Sequence, residues 1–142
     1  MNHNKITAII IDAAMKVHST LGHGLLEQAY HACLAHELRS RGLKTLSEVA
    51  MPIVYEGVTI EVGYRLDLLV ENVIIVELKS VNSLAPIHSS QLLTYLRLSK
   101  KPLGLLLNFG QQRLKDGIVR LINSPLCEPP RSSIRLSSSQ AA

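Results

Sequence analysis

The spacing of apolar residues changes along this chain, and each change marks a new element. Ile6, Ile9, Ile10, Ala13, Ala14 and Val17 recur at intervals of three and four, the stripe of a helix over 6–19. Gly22 and Gly24 interrupt it, and a second helix is expected over about 25–41, closed by Gly42. From 43 to 81 the pattern becomes strand-like. It contains a hairpin at 52–60 turning on Glu56-Gly57, then two strands at 64–70 and 73–80. Pro86 suits the first turn of a helix running to about 99. The apolar run 103–109, set between Pro102 and Gly110, reads as a buried strand. The segment 113–122 is a short element whose type the pattern does not decide.

A strand, a crossover helix and a second apolar strand imply a parallel pair, whereas strands joined by short turns are antiparallel. The expected architecture is therefore a single-domain α/β sandwich with a mixed central sheet. The domain spans 1–123, and the Ser- and Pro-rich stretch 124–142 is expected to form a flexible tail.

Composition narrows the class without naming a chemistry. With 142 residues and 46% apolar content, the chain can bury the core of one globular domain. One Phe, four Tyr and no Trp leave that core to Leu, Ile, Val and Ala. A formal net charge of +4 suits a polyanionic partner but does not require one. The two cysteines, Cys33 and Cys127, form neither a disulfide framework nor a CxxC pair. The uncharged stretch before Asp12 is too short for a signal segment or a membrane span, so a cytoplasmic protein with no membrane association is expected.

The informative charges lie within the sheet. Asp67 falls on one expected strand, and Glu77 and Lys79 fall on the next. Strand residues two apart share a face, so Glu77 and Lys79 project together while Leu78 points the other way. Charges on an apolar sheet are costly unless something binds them. Loop length decides whether the two acids meet. A two-residue loop at Glu71-Asn72 would put Asp67 and Glu77 on opposite faces; an odd loop puts them on the same one. Asn72 tolerates the left-handed backbone that a three-residue loop needs. An odd loop or a bulge at 70–73 is therefore expected.

Two carboxylates and the Leu78 carbonyl are suitable oxygen donors for Mg²⁺ or Mn²⁺. Lys79 beside them is placed to orient a water or neutralise developing charge. An exposed acid–lysine pair on an edge strand would show the same triplet. Glu27 and Tyr30, three apart, share a helix surface, with Gly24 offering close backbone approach at the helix start. Gln91 and Tyr95 lie one turn apart, with His88 on the same side. Each of these also fits an ordinary solvated helix edge.

Taken together, the residues resemble a known family. Gly24-x-x-Glu27-x-x-Tyr30 is similar to the signature of the GxxExxY proteins, as are His18-x-x-Leu21-Gly22-x-Gly24, Tyr64-Arg65-x-Asp67, Glu77-x-Lys79 and Asn108-Phe109-Gly110. The resemblance covers about 6–123. That family is grouped with the PD-(D/E)XK nucleases, whose restriction-endonuclease-like core runs helix, three strands, helix, strand. Likeness to RecB-like and lambda-exonuclease-type members extends to Gln91-x-x-x-Tyr95. The resemblance implies a divalent-metal-dependent nuclease acting on nucleic acid, DNA before RNA. It also implies roles: Asp67 and Glu77 hold Mg²⁺ or Mn²⁺, Glu27 reaches it often through water, Lys79 is catalytic, and Gln91 and Tyr95 position the strand. A silent nuclease-fold module that binds nucleic acid or a protein is the alternative.

Other polar residues add less. Arg65, two before Asp67, is expected on the same face, to touch a phosphate or to pair with Glu77. Arg39, Arg41 and Lys44, and Lys100-Lys101, fit complements to helix C-termini better than a phosphate track. The histidines lack zinc-ligand spacing, and His18 is expected to bond a backbone carbonyl near the glycine turn. Few aromatics argue against a base-stacking platform. A homodimer through the hairpin near 52–62 is compatible with either function.

Overall fold

The first apolar stripe becomes α1 (His3–Leu21), which buries Ile6, Ile10, Ala13, Ala14 and Val17. The computed structural model describes residues 2–124, so the expected tail lies outside the described residues apart from its first position. The Asn2 side chain caps α1 by accepting from Lys5 N at 2.8 Å. Gly22, at φ 78°, turns the chain toward α2 (Glu27–Ser40). An ionic cluster ties the two helices together. Glu37 accepts from Lys16 Nζ at 3.1 Å and from Arg41 Nε at 2.9 Å, while Arg41 also reaches Asp12 at 2.6 Å.

The strands are β1 (Thr45–Ala50), β2 (Ile53–Tyr55), β3 (Val58–Ile60), β4 (Arg65–Val70), β5 (Ile74–Lys79), β6 (Leu103–Asn108) and β7 (Ile118–Ile122). Helix α3 (Pro86–Ser99) crosses between β5 and β6, within the range the sequence predicts. The main sheet runs β1-β4-β5-β6-β7, with β5 and β6 parallel and the other neighbours antiparallel. Leu68, Val70, Ile74, Val76 and Leu78 pack on α1 and α2. On the other face Leu69, Ile75 and Leu106 meet Leu92 and Leu96 of α3. The result is the expected α/β sandwich with a mixed sheet.

Two features depart from the sequence reading. The hairpin β2–β3 forms its own small sheet, and β1 is the neighbour of β4. All three residues of β3 are exposed, and of β2 only Ile53 is half-buried, so the hairpin stands off the core and leaves apolar side chains at the surface. A bond from Met51 N to Tyr64 O, 2.9 Å, closes the chain where this excursion leaves and rejoins the sheet. The undecided segment 113–122 is a 3-10 turn (Leu114–Gly117) followed by edge strand β7.

The end of β6 locks the end of β5. Asn108 is fully buried; its side chain accepts from Val81 N and Gly110 N, both at 3.0 Å, and donates to Val81 O at 2.9 Å. A Cβ on Gly110 would lie 2.3 Å from Val81 O, a clash with backbone that cannot rotate away. Gly110→Ala is expected to lower stability by roughly 1–3 kcal/mol, seen as a reduced urea midpoint. An unchanged midpoint would contradict this packing.

Candidate active site

The loop between β4 and β5 determines which way the acids face. Leu68, Leu69 and Val70 pair with Val76, Ile75 and Ile74, leaving 71–73 as a three-residue loop. Asn72 adopts φ 59° as the sequence predicts, and Glu71 joins it at φ 52°. The Glu71 carboxylate accepts from Lys44 N, which anchors the loop to the start of β1. Continuing the register by one step sets Asp67 opposite Glu77.

At that step the backbone ladder gives way to side chains. Ser47 and Val49 of β1 pair with Leu68 and Leu66, but Glu48 between them sits at φ 51° and does not pair with Asp67. Asp67 N donates to Glu77 Oε1 at 3.0 Å, and Leu78 N donates to Asp67 Oδ2 at 2.9 Å. The Asp67 carbonyl accepts from His31 Nε2 of α2 at 2.9 Å. The distortion shifts side-chain parity: Leu66 packs with the α3-side cluster, whereas Leu68 packs with the α1–α2 side. The simple i, i+2 argument for Arg65 and Asp67 lapses across this kink. Arg65 is exposed and makes a long 3.5 Å bond to the Glu48 carbonyl.

Glu77 is only 7% exposed and faces a second acid. Burial first, and then the Asp67 charge, push its carboxyl up to about 8, with Lys79 opposing. The chemistry of this donor set fits a hard divalent cation: two carboxylates brought together, all oxygen. A cation would also relieve the repulsion that raises Glu77. Among the described residues no three His, Cys, Asp or Glu side chains converge on one metal position. Glu27 therefore stands off from the pair rather than completing a direct triad.

Glu27 nevertheless belongs to the same cluster. It opens α2, and its carboxyl is raised by burial first and then by Asp67, against lowering by Lys79, His31 and His88. Tyr30 sets its position. The fully buried Tyr30 ring stacks on Phe109 at 4.7 Å, and its hydroxyl donates to Gly22 O at 2.6 Å while accepting from Leu25 N at 3.0 Å. Ser80 Oγ donates to Leu25 O at 2.8 Å, joining the end of β5 to the turn before Glu27. The close approach expected at Gly24 is absent, since a Cβ there would meet nothing within 4 Å. The turn needs its glycine at Gly22, where φ is positive.

Helix α3 brings the remaining residues. Gln91 and Tyr95 line a groove shared with Tyr64. The Tyr95 phenol is raised by burial first and then by Glu77, Tyr64 and Asp67, which places it within the field of both acids. His88 Nδ1 accepts from Ala85 N at 3.0 Å and so caps α3. His18 bonds a carbonyl as expected, but that of Gln111, at 2.9 Å. The basic residues at the end of α2 are engaged in the fold: Arg39 donates to Thr45 O, and Arg41 joins the α1–α2 ion pairs. Lys101 donates to Asn72 Oδ1 at 3.1 Å. Sequence reasoning missed the roles of His31 and Ser80, each brought in by tertiary contact alone, and Tyr64 carried a signal in the Tyr-Arg-x-Asp run without its place beside Tyr95. Asn108 carried a signal, the Asn-Phe-Gly run, without its role.

Because the Glu77 carboxyl lies above its ordinary 4.5 in the fold, its contribution to stability is complete below about pH 4.5 and is lost as pH rises through about 8. In EDTA, Glu77→Gln should therefore gain stability relative to the parent between pH 5 and 8, by on the order of a few kcal/mol. Urea unfolding at both pH values measures this, and parallel pH profiles would contradict it. Tyr30→Phe removes the hydroxyl that spans Gly22 and Leu25. A loss of roughly 1–2 kcal/mol in unfolding free energy is expected; an unaltered thermal midpoint would refute that bridging role.

The sequence profile of the PD-(D/E)XK nuclease superfamily matches residues 4–121, nearly all of the described chain. No curated protein and no solved structure matches. The mixed α/β sandwich is consistent with the restriction-endonuclease-like fold of that group. No helix among the described residues is long and apolar enough to cross a membrane. From its matched length and its architecture, this chain belongs to the PD-(D/E)XK nuclease superfamily.

Proposed function

We propose that this protein is a GxxExxY-type nuclease that hydrolyses phosphodiester bonds with Mg²⁺ or Mn²⁺, on DNA in preference to RNA. The observation that carries this reading is the opposed pair Asp67 and Glu77, with Glu77 nearly buried and lifted well above the usual carboxylate range. A binding module has no need of two carboxylates held together in a buried sheet position, where they repel phosphate and each other.

Asp67, Glu77 and the Leu78 carbonyl would hold the cation, with Glu27 reaching it through water. When bound, it would polarise a phosphoryl oxygen and acidify a water. Lys79 shares a strand face with Glu77 and orients the attacking water or neutralises charge building on the phosphate. Gln91 and Tyr95 position the strand from α3, and Arg65 is available to a flanking phosphate. His31 and Ser80 act on placement: one holds the Asp67 backbone, the other the turn before Glu27.

A second reading, a nuclease-fold module that binds without cutting, is favoured by one observation. Both carboxylates accept from backbone amides, and among the described residues no third acid converges on them. Dimerisation through the exposed β2–β3 hairpin is compatible with either. Incubation with linear, circular and single-stranded DNA and with RNA, in Mg²⁺ or Mn²⁺, separates the two. Cleavage should appear, stop in EDTA, and fall at least about a hundredfold in Lys79→Ala and Glu77→Gln. Binding without cleavage, indifferent to EDTA, would establish the module instead.

A further inference from the structure

Beside the acids lies a groove unlike the rest of the site. It occupies about 260 Å³ between α3 and the β2–β3 excursion, where Ile53, Ile87, Leu98 and the rings of Tyr64 and Tyr95 share the walls with the neutral polar side chains of Ser90, Gln91 and Thr94, and no charged side chain lines it among the described residues. The Tyr64 and Tyr95 rings lie 6.1 Å apart and tilted by 50°. Tyr64 and Ile87 are exposed, so these apolar surfaces face solvent.

We propose that this groove receives an unpaired nucleobase of the nucleic-acid substrate, making the protein selective for single-stranded or frayed DNA. The proposal rests on the nuclease reading above and adds the state of the strand that it takes. Three properties of the groove select a base. First, two tyrosine rings and three aliphatic side chains make up most of its walls and the rest are neutral polar groups, matching a flat π-face rather than a phosphate, which would seek cations. Second, Gln91 supplies one amide with both a donor and an acceptor, the pair needed to meet the polar edge of a base. Third, the volume lies below the roughly 300–1,000 Å³ of drug-sized pockets, which suits one base rather than several.

Position completes the argument. Tyr95 is shared between the groove and the acids, because its phenol feels Glu77 and Asp67 while its ring forms the groove wall. A base seated there places its own backbone beside the Asp67–Glu77–Lys79 cluster. A base paired within a duplex has its π-faces covered by neighbours and cannot enter. Tyr64 is the added residue: it stands just before β4, three positions from Asp67, and reaches the groove because the backbone bond to Met51 holds it at the root of the hairpin.

Fluorescence anisotropy tests this with the full chain in Ca²⁺, using a labelled single-stranded oligonucleotide and a blunt duplex of the same sequence, each checked to remain uncut. The single strand should bind more tightly. Tyr64→Ala should weaken that binding by about tenfold, equivalent to ~1.4 kcal/mol, with duplex binding unchanged. Tyr64→Phe should restore it, and Tyr55→Ala, outside the groove, should leave it intact. Equal binding of both forms, indifferent to Tyr64→Ala, overturns the base groove while leaving the nuclease reading in place. No binding of either form overturns both. A concentration-dependent dimer that Tyr64→Ala dissociates assigns the groove to a second copy and also overturns the proposal.

Discussion

Asp67 and Glu77 are held face to face by reciprocal bonds, each carboxylate accepting from the backbone of the other's strand. Much of the surrounding structure accommodates that placement. The three-residue loop sets the register, and the ladder from β1 is interrupted at Glu48 where Asp67 would pair. His31 takes up the Asp67 carbonyl that the broken ladder would leave unpaired. Ionising both acids beside each other, one buried and one half-buried, would destabilise the metal-free fold, so Glu77 keeps its proton until the pH nears 8. A structure keeps such an arrangement when a ligand reverses the repulsion, and a hard cation is the simplest ligand that does so.

The elements around the pair act as braces. Tyr30 and Ser80 converge on the turn before Glu27 from two directions, one through α2 and one from the end of β5. Asn108 and Gly110 hold the segment after Lys79 against the end of β6. Glu27 thus enters the field of Asp67 and Lys79 without itself closing on the pair. The α3 side contributes Tyr95, whose phenol lies in the field of both acids.

How far the sequence revealed this depends on the range of each interaction. The helices were legible because α1 and α3 carry local signals, a regular stripe in one and Pro86 at the first turn of the other. The odd loop was legible because strand parity is a rule of counting. Strand β1 was not set apart, since most of Thr45–Ala50 is exposed and its period is broken at Glu48. The separate hairpin was illegible for a related reason: alternation shows that a segment is extended, not which strand it pairs with. Gly24 invited a close-contact reading, yet only the backbone angles reveal that Gly22 is the glycine the turn needs. Tyr64 was visible in the Tyr-Arg-x-Asp run, but only the fold sets its ring beside Tyr95.

The central claim is that the opposed acids form a cation site. Titration with Mn²⁺, followed by water-proton relaxation or electron paramagnetic resonance, tests it without reference to any substrate. A bound ion that Mg²⁺ competes away is expected, with an affinity that falls sharply in Asp67→Asn and Glu77→Gln and less in Glu27→Gln. Mn²⁺ affinity unchanged by Asp67→Asn and Glu77→Gln in folded protein would contradict it.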